Sequence, residues 1–237
     1  MKNLFVIIFV AILSISCSSE KKKTGNMLVN GQIKGLRKGK IYLQKMKDTV
    51  LVSVDSVNLS GNDTFVLSDQ IENPEMYFLT FDGNTTQKSI LFFGEKGIIT
   101  INDELEKFGI NPEISGSKNQ EILERYKKTN NRFKNQRLDL IKKSFDAQKD
   151  GDTELLKKIE ETSQKMIRRR YLYTTNFALS NANSEVAPYL ALTELYNANI
   201  KLLDTIYTSM SDNVRKSKYG KRLENFILKI KKETNSK

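Results

Sequence analysis

The hydrophobic period of the chain changes once, near residue 117, and that single break constrains the fold more than any other feature. Before it, apolar residues alternate on period 2 in short runs separated by turn residues. After it, they recur on the 3.6-residue period of a helix. A chain patterned this way folds as a segregated α+β protein, because a strand pattern cannot sit as a helix or the reverse. The runs are Met27–Ile33, Ile41–Gln44, Val50–Val57, Thr64–Leu67, Met76–Phe81, Ser89–Phe93 and Ile98–Ile101. Their spacing and the intervening Gly, Asn and Asp predict an N-terminal antiparallel β-sandwich or open barrel over 27–116.

Residues 117–237 read as a helical domain. Ser117 with Gln120 has the pattern of a capping box. Ile122, Tyr126, Phe133, Ile141 and Phe145 form one stripe, and Leu155, Ile159, Met166, Tyr173 and Phe177 form another. Asp150-Gly151-Asp152 separates them. This predicts a hairpin of two helices, each of roughly 30 residues and about 45 Å. Shorter helical segments follow at Val186–Tyr196, Ile200–Met210 and Tyr219–Lys232, predicting a small helical bundle.

The first residues read as an address rather than as fold. Lys2 precedes the ten-residue apolar run Leu4–Leu13, and then comes Leu13-Ser14-Ile15-Ser16-Cys17. The run is too short to span a bilayer, which takes about 20 residues. It reads as a signal peptide over 1–16. The chain's single Cys falls where a bacterial lipobox places the acylated residue, so Cys17 is the expected lipidation site and 17–26 a polar tether. Ser14 stands where the usual lipobox Leu would be. Ser18 after the Cys, and three Lys in the tether, point to the cell envelope: an outer-membrane anchor with the protein facing the periplasm.

Composition removes several chemistries. With no His there is no Ser-His-Asp triad, no Cys-His pair and no imidazole metal ligand. One Cys leaves no intrachain disulfide, no CxxC pair and no four-cysteine zinc site. No cofactor, metal or catalytic residue is expected. The net charge of +11 lies entirely on the helical half: residues 117–237 hold 26 Lys+Arg against 15 Asp+Glu, whereas residues 1–116 hold 13 of each. Nucleic acid is the reflex partner for such a chain, but export removes it. The partners expected are the membrane through the N-terminal lipid, and an anionic lipid, lipopolysaccharide phosphate or acidic protein face.

The order of residues in 29–120 resembles one known domain. Val29-Asn30-Gly31-Gln32-Ile33-Lys34-Gly35-Leu36, Lys40-Ile41-Tyr42-Leu43, Val54-Asp55-Ser56-Val57, Asp63-Thr64-Phe65-Val66-Leu67, Pro74 and Ile114-Ser115-Gly116-Ser117-Lys118-Asn119 carry the likeness. It is to the N-terminal domain of unknown function (4369 type) of Bacteroidota envelope lipoproteins. Those proteins usually continue through a helical segment into a thioredoxin-like domain, and Ser184–Leu195 with Ser217–Leu223 resembles the segment just before it. The resemblance implies an envelope lipoprotein. It carries over no oxidoreductase activity, because the Trp-Cys-x-x-Cys of those relatives is missing and the thioredoxin domain is expected to be absent.

Four constellations remain. Asp103/Glu104/Glu106 and Asp146/Asp150/Asp152 are acidic clusters of the kind a glycan hydrolase would need, but caps and turns require the same residues. Tyr42, Tyr77, Phe78, Phe81, Phe92 and Phe93 are expected to be buried between the sheets rather than to stack on sugars. If Asp150-Gly151-Asp152 is a hairpin tip, residues pair across it at positions adding to about 302. That places Arg132, Lys134 and Arg137 beside Lys165, Arg168, Arg169 and Arg170, a basic band with no acid in 132–138 or 162–184. It is the expected anion-binding face. The expected function is a non-enzymatic, lipid-anchored binding or scaffolding protein. The alternatives are an accessory acting in trans with thioredoxin-like oxidoreductases and, more remotely, a carboxylate-dependent glycan hydrolase.

Overall fold

The computed structural model describes residues 24–82 and 88–235. The expected signal peptide over 1–16, Cys17 and most of the expected tether lie outside these residues. Eight strands form two four-stranded sheets. The strands are β1 (Met27–Lys34), β2 (Lys38–Lys47), β3 (Val50–Ser60), β4 (Thr64–Asp69), β5 (Glu75–Phe81), β6 (Ile90–Gly94), β7 (Gly97–Glu104) and β8 (Glu113–Ser115). One sheet runs β4-β1-β7-β8 and the other β3-β2-β5-β6. Val29, Leu67 and Ile99 of the first meet Leu43, Tyr77, Leu79 and Phe92 of the second in one core. The outcome is an α+β protein with an open sandwich and no closed barrel.

The sandwich is not wholly antiparallel. β7 pairs with β1 in parallel, from Met27 opposite Gly97 to Lys34 opposite Glu104. After β1 the chain builds β2 and β3 of the second sheet, returns to the first for β4, builds β5 and β6 of the second, and comes back at Gly97 beside Asn26, whose carbonyl accepts from the Gly97 N–H at 3.0 Å. It therefore re-enters at the end where β1 began. Period-2 alternation is blind to this, since parallel and antiparallel neighbours bury the same face.

Six helices follow: α1 (Lys118–Asp150), α2 (Thr153–Ser180), α3 (Val186–Glu194), α4 (Ile200–Ser209), α5 (Asp212–Lys216) and α6 (Lys218–Asn235). Gly116, with φ +90°, makes the turn into α1, and a Cβ there would meet the Ile98 carbonyl oxygen at 2.1 Å. The start of α1 is capped twice. The Ser117 hydroxyl accepts from the Gln120 N–H at 3.1 Å, and the Glu95 carboxylate accepts from the Lys118 N–H and the Asn119 amide. The α1–α2 turn follows the expected chemistry: Gly151 is left-handed at φ 68° and Asp152 accepts from the Leu155 N–H at 2.9 Å. Asp103 likewise serves a turn, accepting from the Gly109 N–H at 2.7 Å.

Apolar packing crosses the boundary between the two architectures. Met76 and Phe93 of the sandwich join Leu123, Tyr126, Val186, Leu190 and Tyr219 of the helices in one buried cluster. β5 and β6 are thus buried on both faces. Tyr77 and Phe92 point to the facing sheet, whereas Phe93 packs its ring against Tyr189 at 5.3 Å and Tyr219 at 6.2 Å. The expectation that all six aromatics fill the space between the sheets fails at Phe93 for this reason. Phe78 is only partly buried, and Tyr42 is half-buried with its hydroxyl on Asp82 at 2.8 Å.

Candidate anion-binding surface of the helical hairpin

The hairpin is two different objects along its length. At its base, Tyr126 stacks on Tyr173 at 5.6 Å and shares a 2.8 Å hydrogen bond with Thr174. Burial is the main reason the Tyr126 hydroxyl is pushed up to about 12. Farther out the packing thins. Ile159 and Met166 of α2 are still buried, but Ile141 and Phe145 are 42% and 67% exposed. The expected inward stripe on α1 breaks because eight residues turn a helix by about 80° beyond whole turns, so Ile141 leaves the seam that Phe133 holds. Leu138 is 64% exposed on the same side.

The seven basic residues of the expected band do not form one band. Lys134, Arg137 and Arg170 line a groove of about 450 Å³ with Phe133, Tyr171 and Tyr196. Lys165 and Arg169 line a second groove, of about 390 Å³, beside Asp139 and Lys143. Arg132 and Arg168 are exposed and line neither. A rotation of about 100° per residue separates neighbours that the sequence places side by side.

Arg170 is also not the uncompensated cation expected. Its Nε donates to Asn130 Oδ1 at 3.1 Å, and its guanidinium pairs with Glu194 at the end of α3. The acid arrives from 24 positions away, beyond any local search. This Arg ties α2 to α1 and α3. The other six have no ion-pair partner among the described residues, which leaves Lys134 and Arg137 as the groove's open cations.

A second charged cluster lies where the helices meet the sandwich, and sequence reasoning missed it. Lys45 Nζ reaches Asp69 at 2.6 Å and Glu75 at 3.5 Å, and Glu75 also pairs with Lys218 of α6. The Tyr77 hydroxyl donates to Asp69 at 2.6 Å. Burial pulls the Lys45 ammonium down, but hydrogen bonding and charge from Asp69, then charge from Glu75, outweigh it and hold its pKa above the ordinary lysine value. Burial first, then Asp69, pushes the Tyr77 hydroxyl well up. Signs alternate and each member is paired, so the cluster holds the two halves together. Beside it is an apolar cleft of about 330 Å³ walled by Met46, Met76, Phe78, Leu91 and Leu192. The only hint in the sequence was the broken alternation at Tyr77-Phe78 and Phe92-Phe93, which signals a strand covered on both faces.

The fold defines a class, an open β-sandwich sealed along one side by a helical hairpin and bundle. Residues 27–123 match the family described as Domain of unknown function (DUF4369), so the sandwich with the first turns of α1 is a domain of that type. No curated protein and no solved structure matches the chain.

Proposed function

We propose that the protein is a non-enzymatic, lipid-anchored envelope protein that binds an anionic partner through its helical half. The anchor is Cys17, the membrane is the outer one, and the protein faces the periplasm. The leader sequence supports the address, and the charge asymmetry supports the partner. The observation that carries the reading is the groove in which Arg170 is neutralised by Glu194 while Lys134 and Arg137 stay open. Lipid or lipopolysaccharide phosphate fits such cations.

The test is sedimentation of residues 18–237, which hold every described element, with phosphatidylglycerol vesicles. Binding is expected at 0.1 M salt and should fade at 1 M, as the Debye length shrinks from about 10 Å to about 3 Å. Lys134→Gln with Arg137→Gln should weaken it. No binding by the unaltered protein at low salt would end the reading. The anchor has its own test: Cys17→Ser should abolish metabolic palmitate labelling, and a variant still labelled would refute it. A second reading, a module serving thioredoxin-like oxidoreductases in trans, rests on the resemblance of 29–120 and of the segments at 184–195 and 217–223 to envelope lipoproteins that continue into such a domain. Co-purification with a CxxC lipoprotein would favour that reading over the first.

A further inference from the structure

Three exposed apolar side chains stand in a row on α1. Leu138, Ile141 and Phe145 are spaced i, i+3, i+7, which sets them on one face over about 10 Å of helix. Nothing among the described residues covers them. Most exposed apolar residues need no explanation, but three in helical register, two of them more than 60% exposed, form a designed face.

The charges around the row are sorted. At about 100° per residue, Lys134 falls in line with it and Arg137, Lys142 and Lys149 flank it. All four are exposed, and none has an ion-pair partner among the described residues. Asp139, Asp146 and Asp150 lie about 100° or more round the helix from the row. Asp139 lines the groove on the opposite side of the hairpin. Apolar residues bordered by long cations, with the acids turned away, are the pattern of a helix that lies in a membrane interface. Lys and Arg stems reach past such a row to place their charges among headgroups.

We infer that the outer face of α1 docks on an anionic bilayer. Leu138, Ile141 and Phe145 enter the acyl boundary, and Lys134, Arg137, Lys142 and Lys149 meet lipid phosphates. The inference rests on the anion-binding reading above and makes it specific: the anion is a lipid surface. A second copy of the chain fits this face poorly. Any two-fold pairing centred on Ile141 would bring Lys142 of each copy together and oppose two basic borders.

The absence of Trp from the sequence makes the test direct, since Phe145→Trp introduces the sole indole emitter. Residues 18–237 carrying it are mixed with phosphatidylglycerol vesicles, with phosphatidylcholine vesicles, and with both kinds bearing brominated acyl chains. The expected result is a blue shift and quenching by brominated phosphatidylglycerol, and neither with phosphatidylcholine. Leu138→Gln in the same background should bind about tenfold more weakly with an unchanged helical circular-dichroism signal. The control is Val50→Trp, an exposed strand site outside the proposed docking face, which should not be quenched. Binding without quenching of Phe145→Trp, or equal quenching at both sites, would overturn the insertion while leaving the electrostatic reading standing. Absence of binding to anionic vesicles at low salt would remove both.

Discussion

The base and the tip of the helical hairpin are built from the same two helices, yet they spend their apolar residues differently. At the base, Tyr126, Tyr173 and Phe177 interlock, and Arg170 is held by Asn130 and Glu194. At the tip, Leu138, Ile141 and Phe145 face outward between unpaired cations. One helix thus carries two stripes about a third of a turn apart, one that folds the protein and one that is left for something else. The difference teaches that a stripe in a sequence reports amphipathicity and not what lies against it.

The comparison breaks most visibly at Tyr126. Tyr126→Ala should lower the unfolding free energy by about 3–5 kcal/mol, the usual cost of emptying a buried aromatic site. Urea denaturation followed by circular dichroism reads it, and a loss under 1 kcal/mol would mean that the base is not where stability resides.

Alkaline pH should find the base next. Burial lifts the hydroxyls of Tyr126 and Tyr219 to about 12 from an ordinary 10.0. Between these values the unfolded chain releases protons that the folded chain retains, so stability is intact below about pH 10 and falls toward pH 12. For one such group the fall is on the order of 2 kcal/mol. Tyr126→Phe should make the alkaline limb of stability against pH shallower, whatever it does to the plateau at neutral pH. An unaltered slope would place the alkaline sensitivity elsewhere.

Arg170→Ala should cost about 2 kcal/mol, because it strips charged hydrogen bonds from the part-buried Glu194 and leaves the Asn130 oxygen unsatisfied. Its sequence neighbour Arg168, exposed and unpaired, should change stability by less than about 0.5 kcal/mol on the same substitution. Equal effects would dissolve the distinction between structural and available cations. The smallest effect is expected at the tip. Phe145→Ser should leave stability within about 0.5 kcal/mol, and a loss above 2 kcal/mol would show that the exposed row belongs to the fold.

Periodicity carries the architecture well because it reflects local geometry. Strand runs, the capping Ser117, and the Gly151-Asp152 turn each depend on residues a few positions apart, and each lies where the sequence places it. What escapes is set by distant partners. No local pattern announces that β7 lies parallel to β1, that Glu194 answers Arg170, or that Lys218 reaches Glu75 across 143 positions. The basic band fails for a related reason. Summing charges along a segment ignores the rotation of the helix, and that rotation sends seven cations to two grooves and two outer positions.

The contact between α1 and β6 has a consequence for the making of the protein. β6 is the last strand of its sheet, and its Phe93 N–H donates to the Gln120 side chain at 2.9 Å, while Tyr219 of α6 accepts from the Met76 N–H at 3.1 Å on the adjoining strand. An uncovered edge flanked by Ile90, Phe92 and Phe93 is a template for a strand from another molecule. Residue 94 is synthesised 24 residues before α1 begins. At roughly 5–20 residues per second, that edge waits on the order of 1–5 s for its first cover. The helices therefore act as a tethered guard, and the order of elements along the chain makes this protein vulnerable to cross-strand aggregation early and resistant to it once complete.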